Sequence, residues 1–338
     1  MIFGKTKKPQ KQWFLNVLLL LFALPAATQS NDVLAKSFYL KAEKNFKIKQ
    51  YTYVIDNLDK VVEYLGNTNP KVEVLYVKTY LKRKDYQRTD LHLKKYFEMA
   101  DEGQDDYMKM LEYVAEVKEK LEAFKKENER LEKIISGIEK GKFTDPRDGQ
   151  YYPIITIKNP DNENKLTIMA RDLNYEMEGS TLYSPTIDKY KYGRLYDWEA
   201  AINACPPGWH LPSDNEWKLL IELIGGKSNA GKILKSKNDW TKYRDYEVKQ
   251  GANDIGFNAI GSGAKKSYGR PTPPANLNGM YLNQMATYWS SDRKYKGTQG
   301  DRYYHASTWL LHSYRNDIIN QTITPIKNSY YSCRCFKD

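Results

Sequence analysis

A rigid, capped turn between two short helices constrains this chain more than any other feature. Pro206 and Pro207 lack amide hydrogens, so the helix through residues 198–202 is predicted to end before them. Ser213 and Glu216 match a capping box, in which the Ser213 hydroxyl accepts from the Glu216 amide and the Glu216 carboxylate reaches back. Apolar residues then recur at helical spacing, namely Trp217, Leu220, Ile221 and Ile224. The segment therefore predicts a helix, a turn and a second helix packed on a core.

Further motifs occur in order around this turn. They are DGQYY at 148–152, MARDLNY at 169–175, YGRLYDWEAA at 192–201, GWHLPSDNEW at 208–217, GFNA at 256–259, YWSS at 288–291 and RC at 334–335. Together they resemble the Fibrobacter succinogenes major paralogous domain over residues 141–338. Seven ordered segments make this resemblance specific.

The resemblance implies a C-type-lectin-like fold, distantly similar to formylglycine-generating enzymes, in a bacterial envelope setting. The resemblance implies no agreed activity for the chain. It also implies a disulfide between Cys205 and Cys335, which would tie the first helix of the domain to its last strand. The residues that the motif assigns to structure are Gly208, Trp209, Leu211, Pro212, Ser213, Glu216, Trp217, Trp289 and Arg334.

The third cysteine, Cys333, departs from the family pattern. It lies two residues from Cys335 on the same face of a predicted strand, where a bridge between the two would be strained. It is expected either to compete for Cys205 or to stay unpaired. A Cys-x-Cys metal site is the alternative, but no histidine has the spacing of a zinc finger, so no metal or other cofactor is predicted.

The first 29 residues have the pattern of a secretory signal peptide. Four lysines precede an apolar run from Trp13 to Leu24, and small residues follow it. The run is shorter than the ~20 residues of a membrane span, although an uncleaved anchor remains an alternative. We therefore expect export to the periplasm or cell surface, where disulfides form.

Residues 31–104 are predicted to form helical repeats. Lys47, Tyr51 and Leu58 recur in kind 35 residues later at Lys82, Tyr86 and Leu93. The shift resembles the tetratricopeptide repeat, a pair of helices about 34 residues long. A plain helical bundle is the alternative, and either structure would serve as a docking scaffold.

Residues 105–140 show a heptad pattern typical of a coiled coil. The predicted interface consists of Val114, Val117, Leu121, Phe124, Asn128, Leu131, Ile135 and Ile138. In a parallel homodimer Lys120 would face Lys125, and Glu127 would face Glu132, so like charges would repel. An antiparallel or heterotypic partner, or the chain's own helices, would avoid this. A long helix packed on the repeats is a further alternative.

The C-terminal domain offers few residues for chemistry. His210, His305 and His312 stand in no recognisable catalytic arrangement, so local hydrogen bonds are the favoured explanation for them. Trp289 and Trp309 are expected to fill the core rather than to stack on sugars. A proline-stiffened segment that contains Arg270, Thr272 and Asn276 is predicted to project as a ligand-face loop. A surface loop without a function is an equally favoured alternative.

These patterns predict an α+β protein, with helices and a coiled coil followed by a lectin-like domain. The net charge of +11 is dispersed among acids, which argues against nucleic acid. We expect an exported, non-catalytic protein that binds an envelope protein or glycan and assembles as a homo- or hetero-oligomer through its helical half. It would meet the membrane only through an uncleaved signal. A structural subunit of an envelope machine and, less favoured, a formylglycine-generating enzyme are the alternatives.

Overall fold

A computed structural model describes residues 30–267, 277–295, 304–323 and 329–338. The chain divides into two compact units, Met1–Ala123 and Phe124–Asp338. Helices come first and a β-rich region follows, which confirms the predicted α+β class. The predicted signal peptide, residues 1–29, lies outside the described residues. The helices of the described part are too short or too polar to cross a membrane.

The N-terminal unit is built from two helical hairpins. Its helices are α1 (Asn31–Lys47), α2 (Tyr51–Leu65), α3 (Pro70–Lys82) and α4 (Tyr86–Phe97). The ends of α1 and α3, and the starts of α2 and α4, are each 35 residues apart, which is the shift seen in the sequence. Lys49 and Lys84 both adopt a positive φ in the turns between paired helices, at 61° and 58°. The internal similarity thus extends to turn conformation.

Helix α5 (Tyr107–Ser136) carries most of the predicted coiled-coil interface. Val117 is fully buried among residues of α3 and α4, and Leu121 packs against the same cluster. At the other end, Leu131, Ile135 and the following Ile138 pack against the core of the C-terminal unit. Intramolecular contacts therefore occupy these positions, because a heptad stripe suits any apolar surface.

Three predicted interface positions remain exposed. Val114 is 39% exposed and Phe124 is 53% exposed, and Asn128 is exposed as well. They lie between or beside the occupied positions, so the heptads do not offer a second chain one continuous apolar stripe. The chain's own helices therefore cover part of the predicted interface, which was one of the alternatives proposed.

The C-terminal unit contains two sheets. One has the strand order β1 (Glu139–Thr144), β2 (Tyr151–Lys158), β3 (Lys165–Met169), β13 (Phe336–Lys337) and β6 (Trp209–His210). The other has the order β11 (Ile318–Ile323), β10 (Tyr304–His312), β9 (Met285–Tyr295), β12 (Ser329–Ser332), β5 (Leu195–Tyr196) and β4 (Ser180–Thr181). Strand β7 (Ala264–Ser267) pairs with β12 and with β8 (Leu277–Met280). The last residues of the chain enter both sheets, because β12 and β13 are only three residues apart.

Short helices lie beside the sheets. They are α6 (Lys189–Tyr192), α7 (Trp198–Ala204), α8 (Asp214–Leu223) and α9 (Lys227–Leu234). After α9, Lys235 forms an isolated bridge with Ala259.

The main core of the C-terminal unit surrounds Trp217, which is fully buried. Its indole contacts Phe257, Tyr288, Trp309 and Phe336, with ring centroids 5.5–6.1 Å apart. Burying one such ring contributes about 1.5–3 kcal/mol. Helix α8 thus holds the surrounding strands, and the loops between them, in place.

Candidate functional site

The capped turn has the local geometry that its residues predict. Helix α7 ends at Ala204, and Ser213 caps α8, with both hydrogen bonds of the capping box formed. Gly208 has φ +79°, a conformation that favours glycine. Trp209, Leu211 and Trp217 are buried, so this motif has a structural role in the core.

His210 bridges two carboxylates on this turn. Its Nε2 lies 2.6 Å from Glu216 Oε1, and its Nδ1 lies 2.6 Å from Asp338 Oδ1. Partial burial opposes protonation, but the hydrogen bonds to Asp338 and Glu216 outweigh it and raise the pKa of His210. Glu216 is near His210 in the sequence and could have been proposed as its partner, whereas Asp338 is 128 residues away. The imidazole therefore links helix α8 to the last described residue of the chain, Asp338.

Cys205 and Cys335 form the disulfide that the resemblance implies. Cys333 is a free, buried thiol whose Sγ lies 3.7 Å from Cys205 Sγ. Burial raises the pKa of the Cys333 thiol well above its usual range. The thiol is therefore protonated and a poor nucleophile at neutral pH.

Among the described residues, metal-ligating side chains converge at one place, and it is this cysteine group. The three sulfur atoms lie within 4.8 Å of one another. Since the disulfide occupies two of them, the oxidised chain has one thiol to offer a metal, which is too few for a zinc site.

A buried ion pair joins three of the family motifs. Arg334 donates to Asp172 Oδ1 and to the carbonyls of Met169 and Phe257, the last two at 3.1 and 2.6 Å. Its guanidinium carbon lies 4.2 Å from the Phe257 ring centroid. Burial raises the pKa of Asp172, and Arg334 opposes this rise. The pair is a structural link, because hydrogen bonds and rings surround the guanidinium.

The tryptophans considered as sugar platforms are buried. Trp289 is fully buried and donates to the carbonyl of Tyr196 at 2.7 Å. Trp309 is 4% exposed and donates to Asp214 Oδ1 at 2.9 Å. Both fill the core, as expected. The predicted ligand-face loop with Arg270, Thr272 and Asn276 lies outside the described residues.

A surface group of four aromatic residues, two exposed and two half-buried, was not anticipated from the sequence. This tyrosine cluster consists of Tyr243, Tyr246, Tyr281 and Tyr314. Tyr246 and Tyr314 stack with centroids 4.6 Å apart, and Tyr243 stacks on Tyr314 at 5.5 Å. Tyr281 meets Tyr243 edge-on at 5.9 Å. Tyr246 is 53% exposed and Tyr281 is 40% exposed, so ring faces and edges meet solvent.

The hydroxyl groups of the tyrosine cluster have no hydrogen-bond partner within the described parts of the chain. They are available to an incoming polar ligand. Arg244 adds a cation beside them, since its guanidinium carbon lies 5.3 Å from the Tyr243 ring centroid. An aromatic surface with free hydroxyls and a nearby cation is suited to binding a polar molecule with apolar faces.

Backbone conformation around Tyr281 is unusual. Its φ is +63°, which is uncommon for a bulky residue and costs about 1–3 kcal/mol. The turn that follows is held from several sides: Asn283 donates to Gly261, accepts from Thr241 at 2.7 Å, and its side chain accepts from the Tyr192 hydroxyl at 2.9 Å. Strain that is maintained in this way clusters at functional sites.

A buried lysine joins the loops that carry the cluster. Lys235 is fully buried, and its ammonium donates to the carbonyls of Lys249, His312 and Arg315, the last two at 3.1 and 2.8 Å. Lys249 follows Tyr246, while His312 and Arg315 flank Tyr314. Burial lowers the pKa of Lys235 to about 8, although Asp317 opposes this. One ammonium thus fixes both sides of the tyrosine cluster.

Comparison with known proteins identifies the family. The chain matches the family model described as the Fibrobacter succinogenes major domain over residues 56–337. The match begins within α2, ahead of the segment in which the motifs were found. Neither the curated proteins nor the solved structures compared with the chain include a significant match. Since the match covers far more than half of the sequence, this chain belongs to the Fibrobacter succinogenes major domain family.

Proposed function

We propose that this protein is an exported, non-catalytic binding protein of a bacterial envelope. Its C-terminal unit, in a lectin-like fold, recognises a glycan through the tyrosine cluster, and its helical half mediates assembly. The observation that carries this proposal is a surface group of four packed tyrosine rings, two of them exposed, with a buried ammonium holding the loops of Tyr246 and Tyr314. Rigid aromatic side chains bind at a low cost in conformational entropy.

A glycan is favoured over an apolar protein surface because the rings carry hydroxyls that make no hydrogen bond to the described residues. A sugar ring presents C–H groups to an aromatic face and hydroxyls to its rim, which matches this surface. Export is supported by the apolar leader pattern and by a disulfide that closes 130 residues, since such bridges persist in oxidising compartments.

A binding role is favoured over formylglycine-type catalysis by the state of the cysteines. That chemistry needs a reactive cysteine pair in a pocket. Here two sulfur atoms are joined and the third is buried with a raised pKa. We expect the purified protein not to turn over a sulfatase-type cysteine peptide, and measurable turnover would overturn the proposal.

A purely structural role in an envelope machine is the second candidate. Helix α5 leaves Met108 and Leu111 exposed at 69% and 41%, and at a spacing of three they share one face that a second chain could cover. In sedimentation velocity, Met108→Lys/Leu111→Lys should dissociate any oligomer formed by the wild-type chain. Identical sedimentation of both proteins would argue against assembly through this face.

A glycan array tests the binding proposal. The wild-type chain should bind at least one class of glycan, and Tyr246→Ala should lose that signal. Tyr53→Ala is the matched control, because Tyr53 is 60% exposed in the N-terminal unit. A wild-type chain that binds no glycan, or a Tyr246→Ala chain that binds equally well, would contradict glycan recognition by this cluster.

A further inference from the structure

A cleft of about 310 Å³ lies in the C-terminal unit, and none of the clustered tyrosines lines it. Its volume is at the lower end of the range for small-molecule sites. Five of its ten lining residues are charged, namely Arg171, Asp172, Lys191, Asp239 and Arg334. The balance among these charges decides which ligand charge the cleft can bind.

Two of the cations are already neutralised. The guanidinium of Arg334 is fully buried against Asp172, and its remaining donors reach backbone carbonyls and the Tyr288 hydroxyl. Lys191 Nζ lies 2.7 Å from Asp239 Oδ1. Each cation therefore has a carboxylate beside it, and neither pair needs a ligand to balance its charge.

Arg171 is the cation that remains. Within the described residues it forms no ion pair, so three cations and two carboxylates leave one net positive charge at the cleft. Its Nε is buried and has no hydrogen-bond partner. Because this atom is closed to solvent, an incoming anion would be bound by the terminal nitrogens of the guanidinium instead.

The guanidinium of Arg171 is also held in place. One terminal nitrogen donates to the carbonyl of Tyr151, and the guanidinium carbon lies 5.0 Å from the Tyr152 ring centroid. Tyr152 is fully buried, so this platform is rigid. An arginine that is fixed in this way loses little side-chain freedom when it binds an anion.

We propose that this cleft binds a small carboxylate ligand, either a free acid or the acid group of a sugar, and that Arg171 is its anchor. A carboxylate carries the single negative charge that the cleft lacks, and its two oxygens match the planar fork of a guanidinium. Ile260, together with Pro153 and Ala170, supplies an apolar wall for the carbon skeleton. The site does not depend on glycan binding by the tyrosine cluster.

Saturation-transfer NMR on the full chain tests this site with sodium D-glucuronate, sodium acetate and D-glucose. Glucuronate should bind, acetate should compete with it, and glucose should bind at least tenfold more weakly because it lacks the acid. Acetate as tight as glucuronate would assign a free acid, and tighter glucuronate would assign an acidic sugar; both support a carboxylate site. Failure of both carboxylates to bind, or equal binding of glucose, would overturn the proposal.

Variants assign the binding to Arg171. Arg171→Gln should weaken glucuronate binding at least tenfold. Arg130→Gln should leave it unchanged, because Arg130 already pairs with Asp161 and Glu127. If tryptophan fluorescence shows that Arg171→Gln does not fold, Arg171→Lys, which keeps the charge without the planar guanidinium, should bind several-fold more weakly. Wild-type affinity in whichever variant folds would overturn the proposal.

A tyrosine variant separates the two proposals. Tyr246→Ala should leave glucuronate binding in the cleft unchanged, since Tyr246 does not line it. A chain that binds carboxylates but no array glycan would therefore refute the proposed function alone.

Discussion

Replacing Lys235 with methionine should remove a rise in stability that the wild-type chain gains at alkaline pH. Burial lowers the pKa of Lys235 to about 8, whereas an unfolded lysine titrates near 10.4. Between these values the unfolded chain holds a proton that the folded chain has released. Stability therefore rises with pH in this window, by about 1.4 kcal/mol per pH unit.

Between pH 8 and pH 9.5 the contribution of Lys235 raises the free energy of unfolding by about 2 kcal/mol. Urea unfolding followed by tryptophan fluorescence measures it, because the described tryptophans all belong to the C-terminal unit. Other groups titrate in the same range, so the quantity of interest is the difference in the free energy of unfolding between wild type and Lys235→Met. That difference should move by about 2 kcal/mol in favour of wild type.

Lys237→Met is the matched control, because Lys237 is exposed and only two residues away. Its difference from wild type should stay flat with pH. A flat difference for Lys235→Met as well would refute the argument, since it would mean that folding does not lower the pKa of Lys235.

Three further outcomes follow from the same contacts. Replacing Cys205 with serine should destabilise the C-terminal unit by about 4–5 kcal/mol, because the bridge closes 130 residues. Peptide mapping of the wild-type chain that joins Cys205 to Cys333 instead would contradict this assignment. His210→Gln should destabilise by less than about 1 kcal/mol at pH 5.5, and the effect should vanish as pH rises through the raised pKa of His210, which urea unfolding at several pH values checks. Asp172→Asn should lower the free energy of unfolding by about 3–5 kcal/mol, because it leaves the buried Arg334 cation unpaired. Glu139→Gln, which removes an exposed ion pair, should lower it by less than about 1 kcal/mol. Equal losses in the two variants would refute the contrast.

Features set by neighbours along the chain were predictable from the sequence. Caps, prolines and helical spacing act within a few residues, so the limits of α7 and the capping box at Ser213 could be predicted. The 35-residue shift in the sequence matches the spacing between the ends of α1 and α3 and between the starts of α2 and α4. The Cys205–Cys335 bridge followed from the family resemblance rather than from spacing.

Features set by distant residues could not be predicted. The tyrosine cluster joins positions 243, 246, 281 and 314, which share no periodicity. Lys235 contradicts the expectation that lysine stays in water, because its carbonyl partners come from two other loops. The heptads of α5 revealed an apolar stripe but not its occupant, since a partner helix and the chain's own core select the same residue types.

The central claim is that the tyrosine cluster binds a glycan, and isothermal titration tests it most directly. The titrant is the strongest glycan from the array, and the proteins are wild type, Tyr246→Ala/Tyr314→Ala and Tyr53→Ala. We expect the double variant to bind at least 100-fold more weakly, with unfolding and tryptophan fluorescence unchanged, and Tyr53→Ala to match wild type. A double variant that folds and keeps the wild-type dissociation constant would contradict the claim.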